Sequence, residues 1–528
     1  MHHSTTGVRT VIPALTGLCM LAAASLPAVA QEATFALTSS DVGAPSYNPI
    51  KGTQLNSATS LIFDRLVIQD ADQSFHGQLA TEWESSEDGM SWTFKLRPDV
   101  RFHDGEPFNA ETIKWWVAQY AGTENAFMTA AIETVEIVDD LTVRFLMNAP
   151  DPNLLSNMSS IFMSVPSPKA YESLGDNFGV TEAVGSGPYK LDSFTIGQET
   201  ILARNEDYTA ASDLSENQGP AQFETLTIRE IAEDSTAFLE LKTGGVDLLF
   251  TVPTDFLPRM QEESGTTVIT LPGTDLFYIP INTSVAPFTD IRVREAVAFA
   301  INQQEILDNL FGGIGAVGKN FLISSLLESE VDPELNVSYD PERSKALLDD
   351  AGWIVGDDGI RSKDGVPLQV ALWTQNGTEY KRVTEVVQAQ LKAIGMQADM
   401  TVLDAASIND QYRKGNEHQL AVRSYDWANA DILDWFFSGE RLGYPNVSMW
   451  NDPKAEALNH TAMKESKTWE ERVDNFRAYH EYVLSQYVFA PIYEPVQNFA
   501  YNNARLSVPD TVHGTRLQSQ TILDMAPL

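Results

Sequence analysis

The sequence predicts an α/β protein built as two or three lobes, and three observations carry that prediction. The first is length. Removing a thirty-residue leader from 528 residues leaves 498, too many for one simple core. The second is the alternation of short apolar strands with capped helices along the whole chain. The third is a strand-helix-strand grammar over Phe223 to Phe250. There Leu226 and Ile228 fit a strand, Asp234-Ser235-Thr236 opens a helix, Gly244-Gly245 closes it, and Val246 to Phe250 returns to a strand. No internal repeat or low-complexity tract interrupts this pattern.

The elements follow in order. Residues 1–30 read as a secretory signal peptide: His2, His3 and Arg9 precede the apolar run Val11 to Leu26, and Ala28-Val29-Ala30 is a small-residue cleavage site before Gln31. The single cysteine, Cys19, lies inside it, preceded by Leu18. The reading is therefore a soluble exported protein without disulfides, not a lipoprotein. Thr34 to Ala36 begins a strand, Ser46-Tyr47-Asn48-Pro49 is a loop, and Ser57 to Leu66 predicts a helix running into a strand. Trp92, Phe94 and Leu96 alternate with Thr93, Lys95 and Arg97, the period of a half-buried strand. Asn109 is placed to cap a helix over Glu111 to Tyr120. Tyr189 to Phe194 is a strand after the turn Gly185-Ser186-Gly187-Pro188. Further on, Asp290 caps a helix with Val293, Val297 and Ile301 on one face, and Asp340-Pro341 starts another that Gly352 ends. Val383, Val387 and Leu391 form the stripe of a helix from Tyr380 to Ile394, stopped by Gly395.

Charge and composition exclude several function classes. The chain carries 73 acids against 35 bases, a net charge of −38. The leader holds one Arg and no acid, so the exported chain stands at −39. Nucleic acid and anionic membrane are excluded as partners by repulsion. The acidity reads as a solubility adaptation before it reads as a site. No stretch offers eighteen consecutive apolar residues for a transmembrane helix. The six histidines beyond the leader (His76, His103, His418, His460, His480, His513) have no helix-ligand spacing, so no metal site and no cofactor are expected. Gly185-Ser186-Gly187 lacks the spacing of a nucleophile turn, and Gly312-Gly313-Ile314-Gly315 lacks a phosphate-loop ending. Among so many acids any carboxylate pair is uninformative, and a secreted hydrolase stays as the alternative from another class.

One segment is more specific than the rest. Trp92, Phe94, Leu96, Arg97, Phe102, Asp104, Gly105 and Pro107 lie in the string ATEWESSEDGMSWTFKLRPDVRFHDGEPF over Ala80 to Phe108. This string closely resembles the recognition segment of the family 5 extracytoplasmic solute-binding proteins, the peptide/nickel/opine class that serves ABC importers. The likeness continues through Val184-Gly185-Ser186-Gly187-Pro188-Tyr189-Lys190-Leu191 and Ser235-Thr236 to Val246-Asp247. It goes on through Tyr278 to Asn282 with Pro287-Phe288 and Val293-Arg294-Glu295-Ala296, and through Tyr339-Asp340-Pro341-Glu342. The resemblance implies a two-lobed periplasmic binding protein clamp of the class II type with an additional third domain. Lobe I would comprise 31–63, 183–280 and 489–528, the extra domain 64–182 and lobe II 281–488, with hinge crossings near Ile281 and Ala490. It implies a monomer in the periplasm that captures a small organic solute by hinge closure, delivers it to a membrane permease and catalyses nothing.

The same resemblance suggests where the ligand sits. Arg423 to Asp431 (RSYDWANAD) aligns with the family's W-x-A-D-Y-x-D-P-D loop, whose acid, here Asp426, pairs with the ligand ammonium in peptide-binding members. Trp427, Asn429 and Ala430 depart from that pattern. Asp426 and Trp427 are the leading contacts, with Arg423 as a partner of Asp426 or of a ligand carboxylate. Asn429, Tyr47, Asn48, Trp373, Asn446 and Trp450 are weaker candidates. Trp435, Phe436 and Phe437 read as core. An oligopeptide or dipeptide is the first ligand expected. An oligosaccharide or opine-like sugar conjugate on Trp427, Trp435 and Trp450 is the second, and free nickel is disfavoured.

Overall fold

The computed structural model describes residues 1–3, 32–39, 43–253, 256–414 and 417–528. Residues 4–30 of the expected signal peptide, with its cleavage site and Cys19, lie outside the described residues.

Two large sheets organise the molecule. The first has seven strands in the order Thr266–Leu271, Gln497–Asn502, Leu248–Leu249, Glu32–Leu37, Thr225–Glu230, Glu199–Arg204, Tyr189–Thr195. Glu32–Leu37 runs parallel to both of its neighbours. The second has six strands in the order Ala316–Val317, Phe489–Glu494, Asp275–Pro280, Leu420–Asp426, Gln369–Gln375, Gln397–Leu403. A separate four-stranded sheet, Ala80–Ser85, Ser91–Leu96, Thr142–Met147 and Ile132–Asp139, lies between residues 64 and 182. The architecture is that of an α/β clamp with an additional domain.

Local sequence explains these elements. Phe94 and Leu96 are buried while Lys95 is exposed, as period-2 alternation requires. Asn109 caps Ala110–Gln119 by accepting from the Thr112 backbone N–H at 3.2 Å, and the Thr112 side chain completes the capping box. Asp290 and Asp340 cap their helices in the same manner. Gly244 ends Asp234–Thr243 at φ +79°, a left-handed position that favours glycine. The helix Thr378–Ala393 buries Val383, Val387 and Leu391 against the second sheet.

Two expectations are corrected. Between Ser57 and Leu66 only Thr59–Ile62 is helical. The Ile62 carbonyl accepts from the Gly187 N–H at 2.9 Å, a non-local bond that removes it from any helical ladder. The turn at Gly185 packs so closely there that a Cβ would lie 2.1 Å from the Ile62 oxygen. The chain also crosses between the large sheets earlier and later than Ile281 and Ala490. Asp275–Pro280 and Phe489–Glu494 both pair inside the second sheet, so the crossings fall at 271–275 and 494–497. The two crossings touch: a Cβ on Gly273 would lie 1.7 Å from the Pro495 carbonyl oxygen.

Candidate ligand-binding site

The strand Leu420–Asp426 ends at the crossing, and its last residue, Asp426, is the register partner of Asp275, the first residue of Asp275–Pro280. Two carboxylates are thereby set side by side at the open end of the second sheet. Burial, with the Asp426 charge second, pushes the Asp275 carboxyl up to about 7, against the opposing pull of Arg516 and Gln497. Gln497, from the first sheet, donates to Asp275 Oδ2 at 3.3 Å. Thr274 donates its hydroxyl to Asp426 Oδ1 at 2.5 Å, and Arg516 pairs with Asp426 Oδ2.

Two cavities meet at this pair. One, about 670 Å³, is lined from both sheets by Asp275, Ser424 and Gln497, and from the adjoining loop and helix by Thr251, Glu379 and Tyr380 among others. The other, about 460 Å³, is lined by Arg65, Ser160, Phe162, Phe250, Trp427 and Gln518 among others. Asp426, Arg516, Thr251 and Gln497 line both, so the Asp426–Arg516 pair stands at the boundary of two chambers of one cleft. The larger chamber is acidic: Asp234, Asp275, Glu379 and Asp426 line it with two cations, Arg382 and Arg516. Glu379 accepts from the Tyr493 hydroxyl, and Tyr380 and Ser424 share a hydrogen bond of 2.7 Å. In the smaller chamber Arg65 is held by the Ser159 carbonyl at 2.7 Å and by Gln518 at 2.8 Å. Among the described residues no group of three or more His, Cys, Asp or Glu is arranged to hold a metal.

The sequence-predicted residues divide sharply. Asp426 and Trp427 line the cleft. Trp427 is fixed by its backbone N–H on the Thr274 carbonyl at 2.9 Å and by its indole N–H on Asp431 at 2.6 Å. Arg423 lines a smaller side chamber behind Tyr380 and Ser424 and does not balance Asp426. The others do not line either main cavity. Tyr47 is fully buried with its hydroxyl on Thr200 at 2.7 Å, and Asn48 stabilises its own loop by accepting from the Ile50 and Lys51 N–H groups. Trp373 packs on Tyr412 and His418. Asn446 donates to the Ser438 and Trp450 carbonyls, and the Trp450 ring packs on Phe437 and Tyr482. These are core and loop-bracing roles, set by the burial of each side chain. Trp435, read as core, is instead 40% exposed with the Arg441 guanidinium over its ring, while Phe436 and Phe437 are buried.

Asn429 serves a different purpose. Its Nδ2 donates to Ser156 Oγ at 3.1 Å and its Oδ1 accepts from Arg472. Arg472 and Glu328, both fully buried, form an ion pair, and Arg472 also donates to Asn153. Gln73 donates to the Ser325 carbonyl at 2.7 Å. These bonds tie the 64–182 segment to the segment carrying the second sheet.

Asp275, Glu379, Tyr380, Gln497 and Arg516 escaped the sequence reading. Asp275 abuts a long apolar strand, which is a weak signal. Arg516 sits in a C-terminal loop with none.

Comparison with known proteins agrees with this fold. A model of the bacterial extracellular solute-binding proteins, family 5 (middle region), matches residues 74–441. The nickel-binding periplasmic protein of Escherichia coli K12 is 28% identical over 384 residues, 70% of this chain and 71% of that protein. Heme-binding protein A of Haemophilus influenzae is 24% identical over 451 residues, 78% of each chain. The crystal structure of a dipeptide-binding protein from Pseudoalteromonas sp. SM9913 in complex with Met-Leu superposes with a TM-score of 0.71 at 19% identity. That match covers 94% of this chain and 100% of the other. With an acidic cleft between two sheets and a family match over most of its length, the chain belongs to the bacterial extracellular solute-binding proteins, family 5, substrate-binding components of ABC transporters.

Proposed function

We propose that this protein receives a small organic ligand bearing an ammonium group, best an oligopeptide or dipeptide, in the periplasm and delivers it to an ABC permease. The observation that carries the reading is the Asp275–Asp426 register pair on the cleft wall. A partly buried carboxylate pair favours a cationic guest, and the larger chamber adds Asp234 and Glu379. The two large sheets would be the cores of two lobes, hinged at 271–275 and 494–497, with 64–182 as the additional domain. Closure would bring the lobes onto the ligand. The Asn429–Ser156 and Arg472–Asn153 contacts join segments that such a motion would separate. The sugar reading loses support, because of Trp427, Trp435 and Trp450 only Trp427 lines the cleft.

A thermal melt against short peptides, their N-acetylated forms and oligosaccharides tests this. A ligand that prefers the folded, closed protein raises the melting temperature by mass action. Peptides should shift the transition and N-acetylated peptides should not. A shift by sugars alone would reassign the ligand and leave the transport role. Turnover of any bound compound would replace the receptor reading with a hydrolase.

A further inference from the structure

Behind the acidic chamber lies an annex of about 210 Å³, lined by Gln375, Asn409, Tyr412, Arg423, Ser424 and Tyr444 among others. Tyr380 and Ser424 line both the annex and the 670 Å³ chamber, so the two adjoin. Arg423 is the one cation on the annex wall. Its guanidinium carbon lies 5.1 Å from the Tyr412 ring centroid, 5.4 Å from Tyr444 and 5.9 Å from Phe436. Tyr444 is its hydrogen-bonding neighbour. Among the described residues no carboxylate pairs with it, and its buried Nη1 has no hydrogen-bond partner.

This arrangement is costly for a protein to keep. A guanidinium taken out of water needs an anion or a full set of acceptors, and aromatic faces compensate only part of the loss. Among the described residues no acid lines this wall, in a chain that carries 73. By contrast Arg516 and the buried Arg472 each hold a carboxylate, and Arg65 in the smaller chamber holds the Ser159 carbonyl and the Gln518 amide oxygen.

We infer that the annex is an anion subsite in which Arg423 receives a carboxylate of the incoming ligand. A carboxylate is favoured over a phosphate because the wall supplies one positive charge, and a planar fork matches a planar anion. The inference rests on the receptor reading and deepens it. The ligand is dipolar, with an ammonium at Asp275 and Asp426 and a carboxylate in the annex.

The test uses small anions, so it needs no identified ligand. Melting of the full protein is followed in sodium acetate, sodium succinate and sodium phosphate against sodium chloride at equal ionic strength. Acetate and succinate should give a saturable rise in Tm beyond chloride. That rise should vanish in Arg423→Gln and persist in Arg144→Gln, a partly exposed arginine of the separate four-stranded sheet. An equal rise in Arg423→Gln, or none in the parent, overturns the subsite. A larger response to phosphate than to acetate overturns its assignment to carboxylates. If Arg423→Gln does not fold, Asn409→Asp serves instead. It installs a carboxylate on the same wall, and should raise the Tm of the ligand-free protein and abolish the acetate response. An unchanged response in that variant overturns the inference. Failure of the receptor reading is separable, because it would show as silence across the peptide and sugar panels whatever acetate does.

Discussion

Asp275 and Asp426 are register partners in adjacent antiparallel strands, two carboxylates at the same level of the ladder where the chain crosses between sheets. The arrangement has a pH signature. Asp275 has its folded pKa raised to about 7, mainly by burial and then by Asp426. An acid whose folded pKa lies above its unfolded value costs nothing while both states are protonated. Stability is lost as pH rises from about 4 to about 7, and the loss is constant above that. Asp275→Asn should therefore match the parent near pH 4 and exceed it by roughly 2–4 kcal/mol at pH 8. Urea unfolding across pH checks this, and a pH-independent difference would refute the coupling.

For binding, the pair predicts opposite effects of two substitutions. Asp426→Asn should weaken a peptide ligand about 10- to 100-fold, the cost of one charge-assisted hydrogen bond. Arg516→Gln should strengthen it, because the internal counter-ion of Asp426 is gone. Arg516 is about half exposed, so the fold should lose little. Calorimetric titration with any peptide that shifts the melt distinguishes the two, and equal weakening in both variants would count against the assignment.

The Arg472–Glu328 pair is fully buried. Glu328→Gln leaves a guanidinium without its counter-charge and should cost about 3–5 kcal/mol. Replacing both residues by leucine should cost less than the single change, since no lone charge remains. Denaturant midpoints of the three proteins decide it.

Gly273 predicts a packing defect. An alanine there would place its Cβ 1.7 Å from the Pro495 carbonyl oxygen and 2.8 Å from its carbon, both backbone atoms. Gly273→Ala should destabilise by more than about 2 kcal/mol, as overpacking does. Gly265→Ala, where no atom lies within 4 Å, should change stability by less than about 0.5 kcal/mol. Similar Tm values for the two variants would show that the crossings are slack.

Much of the fold was legible because local signals are strong where they occur. Asn109, Asp290 and Asp340 announce helix starts, Gly244 announces an end, and Trp92 to Leu96 carries a strand period. The sheet membership of Asp275–Pro280 was not legible. An apolar strand beside a crossing fits either sheet, and only pairing with Leu420–Asp426 decides. The site was half legible. Asp426 and Trp427 sit in a family-like loop, but Asp275, Glu379 and Arg516 come from three distant segments whose convergence no spacing encodes. Tyr47, Trp373 and Trp450 misled because an aromatic near a loop looks the same in sequence whether it faces a ligand or a core.

Under the proposed function the Asp426–Arg516 pair has a consequence for what the protein would refuse. The carboxylate is already occupied by an arginine of the same chain, so entry of a cationic guest there would be an ion exchange and not the filling of a bare charge. A neutral solute of suitable shape offers nothing to displace the guanidinium and leaves the partition between the chambers standing. Discrimination against uncharged compounds then needs no steric barrier, because the resident cation sets the threshold that an arriving one must exceed.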